Sequence, residues 1–139
     1  MPAEENKSAL TDAIRNWNAG QYEAYLNFYA ADVILHGFAP GLPPGREGAR
    51  AFYSVIWAAY PNSQITVQGI ITEGELLACR FSLTGVQQGV FMGVPPQGQS
   101  IQVDGQTTMR FSGGKCAERW NQTDMLGWLQ QLGVIALPA

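Results

Sequence analysis

The spacing of apolar residues changes once along this chain of 139 residues, at Pro61. Before Pro61 apolar side chains recur every three to four residues, which is the period of an amphipathic helix; after it they alternate, which is the period of a β-strand. Helices that precede a run of strands are typical of an α+β fold. We therefore expect one domain over residues 1–139, in which a strongly curved, mainly antiparallel sheet wraps around helices as a cone.

The first part of the chain predicts three helices. The first runs from Glu4 to Asn18, and the second is a shorter one marked by Tyr22, Tyr25, Leu26 and Tyr29. A short strand from Val33 to His36 and a Gly/Pro-rich loop follow. The third helix runs from Arg46 to Tyr60 and ends before Pro61. Its apolar face is largely aromatic, which suits either the core or the wall of a ligand cavity.

The second part predicts four strands and a short closing helix. The strands cover Ser63–Glu73, Leu76–Gly85, Ser100–Phe111 and Lys115–Thr123, and the helix runs from Asp124 to Leu132. In the first of these strands the alternation places Ile65, Val67 and Ile71 on one side.

Composition excludes several classes of function. The net charge is −3 and the basic residues are scattered, so we do not expect a nucleic acid partner. The N-terminus lacks the apolar core of a signal peptide, and no segment is long enough to span a membrane, so we expect a cytoplasmic protein. His36 is the only histidine and no cluster has zinc-ligand spacing, so we expect no metal. Cys79 and Cys116 are interpreted as buried free thiols.

Asp124 stands at the junction between the last strand and the last helix. Aspartate is a preferred residue at a helix N-terminus, so capping alone could explain it. A carboxylate whose pKa is raised by burial could instead act as a general base. The residues alone leave both interpretations open.

Several segments resemble the SnoaL-like polyketide cyclases of the NTF2-like superfamily. Residues 85–98, with Phe91, Gly93 and Pro95-Pro96, are similar to a signature that often reads Gly-Thr-His-x-Gly-x-Phe-x-Gly-x-Pro-Pro-Thr-Gly, although Val86-Gln87 stands in place of Thr-His. The end of the chain follows the family order in Arg110-Phe111, Gly113-Gly114-Lys115, Glu118-x-Trp120-x-x-x-Asp124 and Gln131-Leu132-Gly133.

This resemblance implies a cone-shaped barrel with a deep pocket, assembled as a homodimer or a higher homo-oligomer. It also implies that Asp124 is the acid/base of an intramolecular aldol ring closure that uses no metal or organic cofactor. The ligand would be a small hydrophobic or polycarbonyl molecule.

Other residues are candidates for the same pocket. His36, at a strand end, could hydrogen-bond a substrate carbonyl or the enolate oxygen. An Arg80–Glu118 pair could lie inside or beside the pocket, since a buried charge needs a partner. The remaining candidates for substrate binding are Tyr53, Trp57, Phe91, Met92, Gln106, Thr108, Arg110 and Trp120.

The leading hypothesis is therefore acid/base ring closure in a hydrophobic pocket by Asp124, with His36 and Arg110 near the enolate. An isomerase, dehydratase or epoxide hydrolase on the same fold is one alternative, and a second carboxylate beside Asp124 would favour the hydrolase. A non-catalytic protein that binds a hydrophobic ligand is the other, and a cavity without an inward-facing acid would favour it. A fully packed interior would favour a role in assembly.

Overall fold

The structure, a computed structural model, describes residues 2–135. It has helices before Pro61 and mainly strands after it, as the change in apolar period predicts. The elements are α1 (Pro2–Asn18), α2 (Tyr22–Leu26), β1 (Tyr29–His36), α3 (Arg46–Ala59), β2 (Gln64–Glu73), β3 (Leu76–Val86), β4 (Ser100–Ser112), β5 (Lys115–Thr123) and α4 (Met125–Gln131). No helix among the described residues is both long enough and apolar enough to cross a membrane.

The five strands form one mixed sheet in the order β1-β5-β4-β3-β2. β1 runs parallel to β5, and the other neighbouring strands are antiparallel. The α+β class, the mainly antiparallel sheet, the three N-terminal helices and the short C-terminal helix are confirmed. Within residues 2–135 the sheet is open, with β1 and β2 at its edges, so strand pairing does not close a barrel; strong curvature stays a prediction.

The helices cover one face of the sheet, which we call the inner face; the opposite face is the outer face. α1 contacts β2 and β3, α3 contacts β1, and α4 contacts β4. Aromatic rings fill the space between the helices: the ring of Trp17 meets those of Tyr25, Tyr53 and Trp57 edge-on at 5.1–5.3 Å between centroids. The aromatic face of α3 is therefore turned inward, as its spacing predicts.

Two strands depart from the predicted pattern. β1 begins at Tyr29, four residues before the predicted start, because Tyr29 pairs with Cys116 of β5. In β2 the prediction that Ile71 shares a side with Ile65 and Val67 is wrong: Ile71 is 74% exposed, and Ile70 packs against the core. The cause is a register shift between Val67 and Gly69, since one extra residue in a strand turns every later side chain to the other face.

Candidate active site

A cavity of about 550 Å³ lies between the inner face of the sheet and the helices. Its size is within the range typical of small-molecule sites, and its walls are mostly apolar and aromatic. The side chains lining it include Leu10, Ile14, Trp17, Tyr25, Phe38, Phe52, Tyr53, Ile56, Cys79, Phe81, Leu83, Phe91, Met92, Thr107, Met109, Arg119, Asn121, Thr123, Met125 and Trp128. A site of this kind suits a hydrophobic small molecule.

The polar part of this cavity is built around one arginine. Arg119 is 6% exposed, and each of its three guanidinium nitrogens donates hydrogen bonds. Its Nη1 lies 2.6 Å from Tyr29 Oη, 2.8 Å from Tyr53 Oη and 3.4 Å from Tyr25 Oη. Its Nε lies 2.9 Å from Thr107 Oγ1, and its Nη2 lies 3.2 Å from Asn121 Oδ1. We call these six residues the inner cluster.

The inner cluster contains a cation and neutral hydroxyls. Burial raises the pKa values of Tyr25 and Tyr29 well above the usual value, so both are protonated at neutral pH. Burial opposes the charge of Arg119, but the surrounding tyrosine oxygens hold the pKa of its guanidinium above the usual value. The guanidinium also lies 5.5 Å from the centre of the Phe38 ring. Among residues 2–135, no carboxylate lies within 4.0 Å of this charge.

Uniform alternation along β5 does not predict an inward-facing Arg119, because the strand contains an irregularity. Arg110 of β4 pairs with Glu118, while the next residue of β4, Phe111, pairs with Cys116. β5 therefore has one extra residue at this point, and inward-facing positions change from even to odd numbers. Cys116 faces the core before the irregularity, and Arg119, Asn121 and Thr123 face the cavity after it.

Thr107, on β4, could have been found from the sequence. The apolar residues of that strand stand at odd positions, Ile101, Val103, Met109 and Phe111, and all four are buried. Strict alternation therefore predicts an inward-facing Thr107, which is 4% exposed. The candidates at even positions, Gln106, Thr108 and Arg110, lie outside the cavity for the same reason.

Asp124 caps α4 at the edge of the cavity. Its Oδ1 accepts a hydrogen bond from the Gly127 N–H at 2.9 Å, as an aspartate N-cap does. A side chain at Gly127 would collide with this carboxylate, since a Cβ there would lie 2.2 Å from Asp124 Oδ2. Asp124 is exposed and does not line the cavity, although its neighbours Thr123 and Met125 do.

His36 belongs to a different group, on the outer face. Its Nε2 lies 2.7 Å from Glu118 Oε2, and its ring stacks on Trp120 at 5.2 Å between centroids. Arg110 Nε lies 3.3 Å from Glu118 Oε1. We call His36, Arg110, Glu118 and Trp120 the outer cluster. The structure thus brings Glu118 together with Arg110 and His36, rather than with Arg80, and places neither His36 nor Asp124 in the cavity wall.

Of the predicted substrate-binding residues, Tyr53, Phe91 and Met92 line the cavity. Trp57 is buried behind it and stacks on Tyr22 at 4.2 Å between ring centroids. Arg80 is exposed and pairs with Gln106 across the sheet. Its contact with the ligand, like that of the other residues outside the cavity wall, stays a prediction.

The segment that carries the family-like signature forms part of the cavity rim. Gln87, which stands where the signature has histidine, is 1% exposed. Its side-chain amide donates to the carbonyl oxygens of Gly89 at 3.0 Å and Val94 at 2.9 Å. Gln87 therefore fastens the loop that places Phe91 and Met92 in the cavity. Among the described residues, no group of three or more His, Cys, Asp or Glu side chains is arranged to hold a metal ion.

Comparison with solved structures finds the same fold in proteins of similar length. AclR, a candidate hydroxylase from Streptomyces galilaeus, superimposes with a TM-score of 0.86 at 25% sequence identity, over 96% of this chain and 99% of its own. IdmH, a candidate polyketide cyclase from Streptomyces antibioticus, gives a TM-score of 0.79 at 31% identity, over 93% and 99%. A candidate SnoaL-like polyketide cyclase from Jannaschia sp. CCS1 gives 0.81 at 25% identity, over 96% and 95%.

Comparison with curated protein sequences gives no match. The family description of the SnoaL-like polyketide cyclases, however, matches residues 7–132, which is nearly the whole chain. The α+β architecture and the structural neighbours agree with that match. The chain therefore belongs to the SnoaL-like polyketide cyclase family.

Proposed function

We propose that this protein is an enzyme that closes a ring in a hydrophobic polycarbonyl substrate by acid/base catalysis. The observation that carries the proposal is the apolar cavity of about 550 Å³, which ends at the Thr123–Met125 segment that holds Asp124. A cavity of this volume can enclose a molecule of several fused or folded rings, and its aromatic walls favour flat ligands. Membership of the family supports ring closure as the reaction.

In the proposed mechanism Asp124 removes a proton from a carbon that lies between two carbonyl groups. Only Oδ1 of this carboxylate is engaged in a hydrogen bond among the described residues, so Oδ2 is available to the substrate. The resulting enolate carbon attacks a second carbonyl and forms the ring bond. The new alkoxide takes a proton, and Asp124 returns to its ionised form by giving up the proton it removed. Donors in the cavity wall stabilise the enolate oxygen.

The test is the exchange of the acidic carbon-bound hydrogen of an aromatic β-keto ester in deuterated water, followed by mass spectrometry. We expect the wild type to accelerate exchange, and Asp124→Asn to lower that acceleration by about 10²- to 10⁴-fold, because a positioned base typically contributes this much. Asparagine caps a helix as well as aspartate does, so the variant should remain folded. Asp12→Asn, at an exposed position of α1, removes the same charge and should leave the rate unchanged.

A second candidate function is binding without catalysis. No carboxylate lines the cavity within residues 2–135, which favours a protein that holds a hydrophobic ligand. In that case the β-keto ester would bind to the wild type and to Asp124→Asn with equal affinity, and neither would accelerate exchange. Full activity of Asp124→Asn would instead exclude Asp124 as the base.

The homodimer that the resemblance implies also stays a proposal. The outer face exposes Ile34, Ile71, Leu76 and Trp120 by 39–74%, and this apolar surface supports self-association. Analytical ultracentrifugation tests it: a monomer at tens of micromolar protein would contradict it.

A further inference from the structure

One N–H donor of the arginine in the inner cluster has no acceptor, because three of the five acceptors lie on Nη1 and only one lies on Nη2. A guanidinium carries five N–H groups: one on Nε and two on each terminal nitrogen. The two on Nη1 are taken by tyrosine hydroxyls, the one on Nε by Thr107 and one on Nη2 by Asn121. Within the described chain, the second Nη2 hydrogen has no acceptor.

The tyrosine hydroxyls leave a second donor unused. The Tyr29 hydroxyl donates to Tyr53 Oη at 3.3 Å. The 2.8 Å contact between Tyr25 Oη and Tyr29 Oη must then be donated by Tyr25, because each hydroxyl has one hydrogen. The hydrogen of Tyr53 is left without an acceptor among residues 2–135. Arg119 and Tyr53 both line the cavity.

The positive charge of the inner cluster favours a ligand that accepts hydrogen bonds, as the two unused donors do. The inner cluster carries the positive charge of Arg119 and contains no carboxylate, and the walls around it are mostly apolar. A buried cation is costly unless an anion pairs with it, and removing it from water strengthens its attraction for one. Nothing in the described part of the chain supplies that anion.

We propose that the cavity binds apolar ligands through an anionic oxygen, a carboxylate or an enolate, placed against Arg119 Nη2 and Tyr53 Oη. This inference rests on the proposed function only in that a small molecule occupies the cavity; it does not require turnover or Asp124. If ring closure also occurs, the same two donors hold the enolate oxygen while the carbon–carbon bond forms.

The test compares each anion with a neutral partner of nearly the same shape, by isothermal titration calorimetry at neutral pH. One pair is 2-naphthoate and methyl 2-naphthoate. The other is the enolate of 2-acetylindane-1,3-dione and its enol methyl ether. We expect at least one anion to bind about 10- to 100-fold more tightly than its neutral partner, as hydrogen bonds to a charged group imply. The pair with the larger preference identifies which source of the anionic oxygen the site favours.

An isosteric variant then assigns the preference to Arg119. Asn121→Asp places a carboxylate beside Nη2 without changing the cavity volume, so it should remove the preference for the anion, measured as the ratio of the affinities for the anion and its neutral partner. Gln102→Glu adds the same charge at an exposed position outside the cavity and should bind as the wild type does. Equal or weaker binding of both anions to the wild type overturns the proposal. A preference for the anion that persists in Asn121→Asp also overturns the proposal. Loss of deuterium exchange with the anion preference intact would reject the proposed reaction alone.

Discussion

Glu118 and Arg119 are neighbours in β5, yet their charges meet opposite surroundings. Glu118, on the outer face, accepts hydrogen bonds from His36 and Arg110, and these three side chains are 19%, 43% and 31% exposed. Arg119, on the inner face, is 6% exposed and has only neutral partners among the described residues. One carboxylate therefore has two cationic or polar neighbours in water, while one buried cation has no carboxylate.

The difference separates a structural group from a candidate binding group. Ion pairs that water reaches are screened, and most contribute little to stability. A buried charge without a counter-charge has a large desolvation cost, which at Arg119 is met by hydroxyl and amide oxygens and by no carboxylate of the described residues. Such a charge is explained more readily by what it binds than by what it stabilises, so the inner cluster is the better candidate for function.

The largest expected effect tests the residue between the two faces. Gly37 joins His36 of the outer cluster to Phe38, whose ring lies against Arg119. It has φ +76°, and a Cβ there would lie 2.2 Å from the backbone oxygen of Asn121. We expect Gly37→Ala to lower the free energy of unfolding by about 3 kcal/mol, since left-handed strain and a backbone clash add. Urea denaturation measures it.

Gly74→Ala is the matched control for this change. Gly74 also has a positive φ, +59°, but a Cβ there would meet nothing within 4 Å. We expect a loss of about 1 kcal/mol from the backbone conformation alone. Equal losses in the two variants would mean that the approach of Gly37 to Asn121 does not constrain the crossing between the faces.

The fold was predictable because its signals are local. The third helix, predicted as Arg46–Tyr60, is Arg46–Ala59 in the structure, and the last strand has the predicted bounds Lys115–Thr123. The helix rests on a period kept from Arg46 to Tyr60 and on the stop at Pro61, and the strand rests on the Gly113-Gly114 turn before it and the Asp124 N-cap after it. Long periodic segments leave few alternatives.

The site was less predictable because it depends on whether the odd-numbered or the even-numbered residues of a strand face the cavity. One extra residue in β5 turns Arg119 inward and Trp120 outward, and one in β2 turns Ile70 inward and Ile71 outward. The irregularity in β2 is marked by Gly69, since a glycine within a strand often accompanies a bulge, but no Gly or Pro marks the one in β5. The large aromatic Trp120 made the even positions look buried, but its ring lies on the imidazole of His36 at the surface. This stacking partner is 84 positions away in the sequence, beyond any local pattern.

The second prediction concerns the free energy of unfolding above pH 9, which should depend on a thiol of the inner face. Burial raises the pKa of Cys116, behind the inner cluster, from 9.0 to about 11. The folded protein keeps this proton where the unfolded chain loses it, so the stabilisation is complete below pH 9 and is lost as pH rises through 11. We expect the wild type to lose about 2–3 kcal/mol relative to Cys116→Ala over this interval. Denaturation with a reductant at several pH values measures the difference; parallel curves for the two proteins would contradict it.

The third prediction concerns a variant, Asn121→Asp, that gives the inner face a carboxylate beside its arginine, as Glu118 does on the outer face. Asn121→Asp should raise the free energy of unfolding of the unliganded protein by about 1–2 kcal/mol at neutral pH, because a hydrogen bond between two opposite charges replaces one in which only Arg119 is charged. Gln102→Glu is the control for the added charge. A destabilised Asn121→Asp would mean that Arg119 is already compensated, and the contrast between the two faces would fail.

The smallest expected effect concerns the free energy of unfolding at acidic pH, which should depend on a carboxylate of the outer face. The hydrogen bond from His36, with help from Arg110, lowers the pKa of Glu118 below the usual 4.5. The stabilisation is therefore present above pH 4.5 and is lost as pH falls through the lower pKa of the folded state. In Glu118→Gln this part of the acid dependence should disappear, so the variant should differ from the wild type at pH 6 and approach it at pH 3. Since water reaches all three side chains, salt should reduce the difference at pH 6. A salt-independent difference would place Glu118 in a buried setting like that of Arg119, and the two faces would no longer be distinct.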